Sequence, residues 1–318
     1  MKNRPYDTAE TLVYDPIASN RNATRASLHS LGFRKVDLAA SLEILHERLR
    51  VSSPDLLLCE VAGAEIEVCQ VVQSIRQGRI GSNPFILVMV TTWRRDGSIV
   101  SQVVNSGADD LVARPISTAL LGERIKAQVE RRKPFVVTSD YIGPDRRRDP
   151  GRSSAERVEA PNALKIRTSE GVGEDEAERQ IIAAVDEGKT RLNLEKIRRD
   201  SVTLGVQMRM LEQKTPGARD FFDLLPRMER LSEEIKQRLT GTVHDTARVW
   251  CDAIADSVRT LSAVKDVTGT SHEFAPLVQL LRQSALSLGD MFAPGDLGRI
   301  DLVNLDQLPA ASTSAQTA

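Results

Sequence analysis

The stretch that decides the fold is Gly-Ala-Asp-Asp-Leu-Val-Ala-Arg-Pro at 107–115. It predicts a short strand over 110–113, entered through a glycine turn and left through a proline. Short apolar segments that alternate with helical periodicity come before it, which predicts parallel βαβ units. The four earlier strands are expected at 11–15, 35–39, 54–60 and 85–91, and the five helices at 20–31, 41–50, 66–77, 97–106 and 117–132.

These elements predict an α/β fold, a doubly wound parallel sheet of five strands. Ligands of such sheets bind in a crevice at the carboxyl ends of the strands. Asp15, Glu60 and Thr91 each end a predicted strand, so we expect all three to face that crevice. Arg114 and Pro115 leave the last strand at the same edge.

The order and spacing of these landmarks resemble a response-regulator receiver domain of the CheY-like type, over residues 8–133. The resemblance implies the flavodoxin-like sheet and a phosphorylation site. In the family, two acids after the first strand gather Mg²⁺, and an Asp that ends the third strand attacks phosphorus. A hydroxyl after the fourth strand and a Lys after the fifth bind the phosphoryl oxygens. Thr91 matches that hydroxyl.

The other positions of the crevice depart from the family pattern. Pro16 stands in place of the second acid, and Glu60 stands in place of the phospho-acceptor Asp. Arg114 replaces the Lys, and a planar fork is not equivalent to a point charge. Leu111 occupies the position of the aromatic switch residue. The longer side chain of Glu60 misplaces the carboxylate, and small misplacements are costly in a positioned reaction.

We therefore predict a pseudo-receiver in which Glu60 is the phospho-acceptor equivalent and Asp15, Thr91, Arg114 and Pro115 line the pocket. One interpretation is that Glu60 imitates the phosphorylated form by a permanent charge beside Arg114. A second is that the two form a plain salt bridge in a drifted scaffold. A third is that Glu60 still accepts phosphate. We expect no cofactor and no catalytic residue, and at most a weak Mg²⁺ site at Asp15 and Glu60.

Residues 134–175 are rich in Arg, Pro and Gly and predict a flexible linker. Within it, Tyr141 and Ile142 are expected to pack on the receiver like a strap, with the arginines at 146–148 in solvent.

Residues 176–293 predict an all-α bundle or hairpin domain, and 294–318 a largely disordered tail. An a/d seam predicts a homodimer through the helices at 194–239; its residues are Leu194, Ile197, Ser201, Leu204, Met208 and Leu211.

The composition describes a soluble globular protein of 318 residues with 27% charged residues and a formal net charge of −1. No segment has the positive excess of a nucleic-acid-binding domain, so nucleic acid is an unlikely partner. A polar N-terminus, the lack of a long apolar run and three scattered cysteines predict a cytoplasmic protein without a membrane partner. His244 and His272 resemble phosphorylatable histidines of kinases, but surface or capping roles fit them better.

Taken together, the sequence predicts a response-regulator-like signalling protein of a two-component or phosphorelay system. It is expected to act through contacts with signalling proteins, a histidine kinase or a downstream target, by means of its helical output module, and not as an enzyme. One alternative is a receiver that accepts phosphate at Glu60. Another is a transcriptional regulator whose helical module binds DNA.

Overall fold

The structure is a computed structural model, and it describes residues 6–94, 96–147, 156–215, 218–263 and 271–293, with backbone alone for 271–273. The chain divides into two compact units, Met1–Asp200 and Ser201–Ala318. In the described ranges, no helix has the length and apolar character that crossing a bilayer requires.

The first unit contains a parallel five-stranded sheet in the order β2-β1-β3-β4-β5. Both faces of the sheet are covered, so the central strands β3 and β4 are buried along their whole length and are apolar except at their carboxyl ends. The strand bounds are β1 Glu10–Tyr14, β2 Lys35–Ala39, β3 Leu56–Glu60, β4 Leu87–Thr92 and β5 Asp110–Ala113.

Five helices cover the two faces and produce two separate core layers. One layer joins alternate strand residues to α2, α3 and α4, and the other joins the remaining strand residues to α1 and α5. Side chains of Ser41, Asp96 and Ser117 accept a backbone N–H at the starts of α2, α4 and α5. The helix bounds are α1 Ala18–Leu31, α2 Leu42–Val51, α3 Glu65–Arg76, α4 Gly97–Ser106 and α5 Thr118–Arg131.

The predicted fold class is confirmed: a flavodoxin-like sheet comes first and a long helical region follows it. The ten predicted elements of the sheet and its helices all occur, with ends close to the predicted ones. The crevice edge is therefore built as the sequence indicates, since β1, β3, β4 and β5 all end there.

The prediction of a flexible linker at 134–175 was wrong for residues 134–147 and 156–175, which we call the extension. Three short antiparallel strands form a second sheet in the order β7-β6-β8. A short helix and the start of a long one follow. The bounds are β6 Phe135–Val137, β7 Ile142–Pro144, β8 Arg157–Val158, α6 Ala163–Arg167 and α7 Glu174–Glu212.

The extension is held by an apolar cluster of its own. Phe135 and Val137 are completely buried, and they pack with Phe85 of the receiver-like part and Leu192 of α7. Ile142 and Val158 complete the cluster. The composition of this segment is polar overall, but its few apolar residues are placed where they meet one surface. That spacing is short-range and irregular, so composition alone misses it.

Glycines permit the close approach of the extension to the rest of the unit. A Cβ on Gly143 would lie 2.7 Å from the Cα of Gly107, and a Cβ on Gly188 of α7 would lie 2.8 Å from the ring of Phe85. Neither distance is tolerable for a side chain. Gly107, the first residue of the fold-deciding stretch, also has a φ of 89° and so ends α4 in a left-handed conformation.

Buried charges reinforce this packing at the amino-terminal edge of the sheet. The Asp109 carboxylate accepts from Arg76 Nη2 at 2.7 Å and from Arg132 Nε at 3.0 Å. Both guanidinium groups also lie over the ring of Phe135, at 5.0 and 5.4 Å from its centroid. At the same edge, Arg167 of α6 donates to Asp55 at 2.6 Å. The edge opposite the crevice is thus tied to the extension.

The second unit is helical, as predicted, and its amphipathic stripes face inward. Leu204, Met208 and Leu211 of the predicted seam are buried in the chain itself, and Leu194 is half-buried. These residues are therefore part of the folded core of the chain, and the homodimer through the helices at 194–239 stays a prediction. The helices are the end of α7, α8 Arg219–Phe222, α9 Leu225–Leu239, α10 Arg248–Ala263 and α11 Ser271–Met291, with a 3₁₀ turn at Asp245–Ala247 before α10.

The predicted tail at 294–318 lies outside the described residues. The predicted boundary near residue 176 also differs from the observed division after Asp200. The reason is that Ala177, Ile181 and Leu192 of α7 are buried in the first unit. Helical periodicity indicates where a helix runs, but it carries no information on which body the helix packs against.

Phe135→Ala tests whether the extension belongs to the folded unit. Loss of a fully buried aromatic side chain should lower the free energy of unfolding by about 3–5 kcal/mol. Val51→Ala removes a largely exposed side chain and is the control, with an expected effect below about 0.5 kcal/mol. Denaturant unfolding followed by circular dichroism gives both values. Equal stability of the two variants would mean that the segment is a linker after all.

Candidate functional site

Four predicted site residues meet at the carboxyl edge of the five-stranded sheet. Asp15 follows β1, Glu60 ends β3, Thr91 lies in β4 and Arg114 follows β5. All four are buried, with exposed fractions of 0%, 1%, 2% and 7% in that order. The parallel register of the strands brings these positions together, because the strands end side by side.

The Arg114 guanidinium lies between the two acids. Its Nε donates to Glu60 Oε2 at 2.6 Å, and its Nη2 donates to Asp15 Oδ2 at 3.2 Å. Nη2 also donates to Thr24 Oγ1 at 3.2 Å. One cation thus holds two carboxylates and a hydroxyl from three different parts of the sequence. We call Asp15, Glu60, Thr91, Thr24 and Arg114 the crevice cluster.

Glu60 is held by three donors in a single orientation. Its Oε2 accepts from Thr91 Oγ1 at 2.8 Å as well as from Arg114. Its Oε1 accepts from the backbone N–H of Ala62 at 3.0 Å. Arg114 Nε is also 3.3 Å from Thr91 Oγ1, which completes a triangle of groups. A hydroxyl and a cation therefore bind the Glu60 carboxylate.

Asp15 lies in the least favourable place for a charge. Burial raises the pKa of its carboxyl and the nearby Glu60 raises it further, while the Ile17 N–H and Arg114 lower it, with the balance upward. The Ile17 N–H donates to Asp15 Oδ1 at 2.8 Å, and Arg21 donates to the Asp15 backbone carbonyl. Burial is thus the main reason that the pKa of Asp15 is raised, and the second acid of the cluster adds to it.

Comparison with known proteins finds a relative that matches part of this chain. The transcriptional regulatory protein AfsQ1 of Streptomyces coelicolor is 37% identical over 111 residues, a match that covers 35% of this chain and 47% of that protein. The match thus spans about half of the relative's length. Over that stretch the first part of the chain is similar to AfsQ1.

The N-terminal ~140 residues fit a response-regulator receiver domain. Solved receiver structures cover similar shares. A response regulator from Thermotoga maritima is 25% identical with a TM-score of 0.33, covering 37% of this chain and 95% of that one. The orphan response regulator HP1043 of H. pylori is 22% identical with a TM-score of 0.34, covering 39% and 98%. No family model matches the chain.

The crevice of this receiver does not fit the Mg²⁺ that the family implies. The facing oxygens of Asp15 and Glu60 are already taken by the guanidinium of Arg114, and Pro16 supplies no further carboxylate. A divalent cation at that point would meet a buried positive charge. Among the described residues, no group of three or more His, Cys, Asp or Glu side chains is arranged to hold a metal ion.

The structure also places the remaining receiver positions. Pro115 is exposed at the crevice rim, after a cis peptide bond with Arg114. Leu111 is half-buried and packs against the core layer of α3 and α4. Thr24, in α1, is the one member of the crevice cluster that the sequence analysis missed. Its position ten residues after the first strand gives no local signal, since helix α1 alone brings it to the crevice.

The other candidates have structural roles. His244 lies in a turn before α10, with its ring 5.3 Å from that of Phe292, and not on a helix surface. The side chain of His272 lies outside the described residues. The strap prediction holds for Ile142, but Arg146 is not merely in solvent: it donates to the carbonyl oxygens of Ala108 and Asp109, at 2.6 and 3.2 Å.

Asp15→Asn tests whether the crevice disfavours the charged form of Asp15. Because the pKa of Asp15 is raised in the folded chain, its contribution to stability is fully present below the ordinary value of 3.8 and is lost as pH rises through the raised value. Asn has no charge to lose, so the variant should equal or exceed the parent in stability at pH 7. The advantage should shrink as pH falls towards 4.

The measurement is the free energy of unfolding as a function of pH for the parent, Asp15→Asn and Asp37→Asn. Asp37 is exposed in β2 and serves as the control for the loss of a carboxylate. A variant that is less stable than the parent at pH 7, and increasingly so towards higher pH, would show that the charged form of Asp15 is favoured.

Proposed function

We propose that this protein is a two-component-type signalling protein whose receiver domain works without phosphorylation. The observation that carries the proposal is the position of the Arg114 guanidinium inside the crevice, bound to Glu60 and Asp15. This side chain supplies the positive charge that the family obtains from Mg²⁺ and Lys. The protein is then a partner for other signalling proteins and has no catalytic activity of its own.

The contacts of Glu60 support a permanently charged receiver. Its carboxylate is bound by a hydroxyl, Thr91, and by the cation that follows β5, Arg114. In the receiver domains that this chain resembles, the groups at these two positions bind the phosphoryl oxygens of the phosphorylated form. Glu60 thus makes, within the protein, the contacts that a phosphoryl group makes in the family.

Phosphate acceptance at Glu60 is a weaker alternative because both of its oxygens are engaged. An attack on phosphorus needs a free oxygen and a neutralised phosphoryl group, and the crevice cluster provides neither. The other alternative is a transcriptional regulator whose helical part binds DNA, and the relative AfsQ1 is named as a transcriptional regulatory protein. Acidic residues outnumber basic ones after residue 176, which opposes a DNA-binding role for the helical part.

The direct test is incubation of the purified protein with acetyl phosphate and Mg²⁺, followed by intact mass measurement. The proposal predicts an unchanged mass. The triple variant Pro16→Asp, Glu60→Asp and Arg114→Lys restores the family pattern and should gain a phosphoryl group, with a known active receiver run alongside to validate the assay. A base-labile phosphoryl group on Glu60 of the parent would refute the proposal.

Glu60→Gln distinguishes the charged mimic from the plain salt bridge. The substitution should lower the free energy of unfolding by about 1–3 kcal/mol, less than a fully orphaned buried charge would cost, because Arg114 keeps Asp15 as its partner. Glu67→Gln, at an exposed position in the first turn of α3, is the matched control. The two interpretations differ in how far from residue 60 the substitution changes the stability of the backbone hydrogen bonds.

Amide hydrogen exchange of the same variant shows which helices and strands are affected. If the charge of Glu60 sets the state of the receiver, exchange should also increase in α4 and α5, which carry no member of the crevice cluster. Faster exchange confined to the carboxyl ends of β3, β4 and β5 would mean that the pair only holds the scaffold together.

A further inference from the structure

A cavity of about 280 Å³ opens at the edge of the sheet opposite the crevice. It lies between the end of α5 and strand β7 of the extension, beside the residue that precedes β5. Three cationic side chains line it, from Arg131, Lys133 and Arg146, and a single acid, Asp109, lies at its wall. The cavity is therefore positively charged and distinct from the site described above.

The acid at the wall does not neutralise these cations. The Asp109 carboxylate is already bound by Arg76 at 2.7 Å, by Arg132 at 3.0 Å and by the Val88 N–H at 2.8 Å. Arg131 and Lys133 have no ion-pair partner in the part of the chain that the structure describes. The Asp109 carboxylate is thus the one acid among five cationic side chains in this region: the two buried guanidinium groups that bind it and the three cations that line the cavity.

The charge of Arg76, behind the cavity wall, is disfavoured mainly by its burial. Burial lowers the pKa of Arg76 to about 10, Asp109 opposes the change, and the neighbouring Arg132 lowers the pKa further. An anion in the cavity would reduce the repulsion among these groups. Anions are attracted where the fold holds positive charges together, and because these cations are exposed the attraction weakens as salt is added.

The extension fixes one of the cavity cations in place. Arg146 Nη2 donates to the carbonyl oxygens of Ala108 and Asp109, at 2.6 and 3.2 Å, so the guanidinium is fixed at the junction of the extension and the receiver. A planar guanidinium fork suits the oxygens of a phosphate group, and a lysine adds a point charge.

We propose that this cavity binds a small anion that carries a phosphate group. Its volume lies just below the range of pockets for drug-sized ligands, which limits the organic part to a few atoms. The competing explanation is that Arg131 and Lys133 offset the dipole at the carboxyl end of α5 and bind nothing. The proposal is independent of the state of the crevice cluster.

The experiment measures binding of inorganic phosphate and of glycerol phosphate to the full-length protein by isothermal titration calorimetry at low ionic strength. The double variant Arg131→Gln/Lys133→Gln removes two cavity cations. Lys126→Gln/Lys165→Gln removes two exposed charges of α5 and α6 outside the cavity and keeps the same net charge. The proposal predicts saturable binding at one site, weakened about tenfold or more in the first variant and unchanged in the second.

Several results would overturn the proposal. These are no saturable binding to the parent, an equal loss in both double variants, which indicates nonspecific attraction, or a lower melting temperature of the first variant with binding intact, which indicates a dipole role alone. Both cavity residues are exposed, so the variants should fold, as circular dichroism can verify. If the double variant unfolds, the single variant Lys133→Gln provides the same comparison.

Discussion

The buried guanidinium of Arg114 between Glu60 and Asp15 is the interaction on which the receiver part depends. It joins the ends of β1, β3 and β5 at the point where a receiver of the usual kind leaves room for a metal ion and a phosphoryl group. A buried ion pair adds little net stability over apolar packing, but removal of one partner is costly. The cluster therefore fixes one arrangement of the crevice more than it stabilises the fold.

A second group of buried ion pairs, at the opposite edge of the sheet, holds the extension on the receiver. Asp109, within the stretch that decides the fold, binds Arg76 and Arg132, and both lie over Phe135 of the extension. The same stretch contains Arg114, so the one short strand β5 connects the two centres. The receiver and the extension thus form one unit up to Asp200, and α7 begins within that unit.

The sequence predicted the sheet, its helices and four of the five members of the crevice cluster, since strand ends place Asp15, Glu60, Thr91 and Arg114 at one edge. It did not predict Thr24, which only the path of α1 brings there. The extension was misjudged because its polar composition hides the apolar residues that pack on Phe85. The seam of α7 was predicted from its periodicity, and its residues Leu204, Met208 and Leu211 are buried within the chain. Periodicity does not show whether a stripe also meets another copy, so the homodimer stays a prediction.

The most direct test of the central claim is a crystal structure of the protein grown with Mg²⁺ and beryllofluoride, which together imitate the phosphorylated state of receivers. We expect the crevice to be unchanged, with the Arg114 guanidinium bound to Glu60 and Asp15 and no metal ion between them. Beryllofluoride on Glu60 with Mg²⁺ beside Asp15, and Arg114 displaced from the crevice, would contradict it.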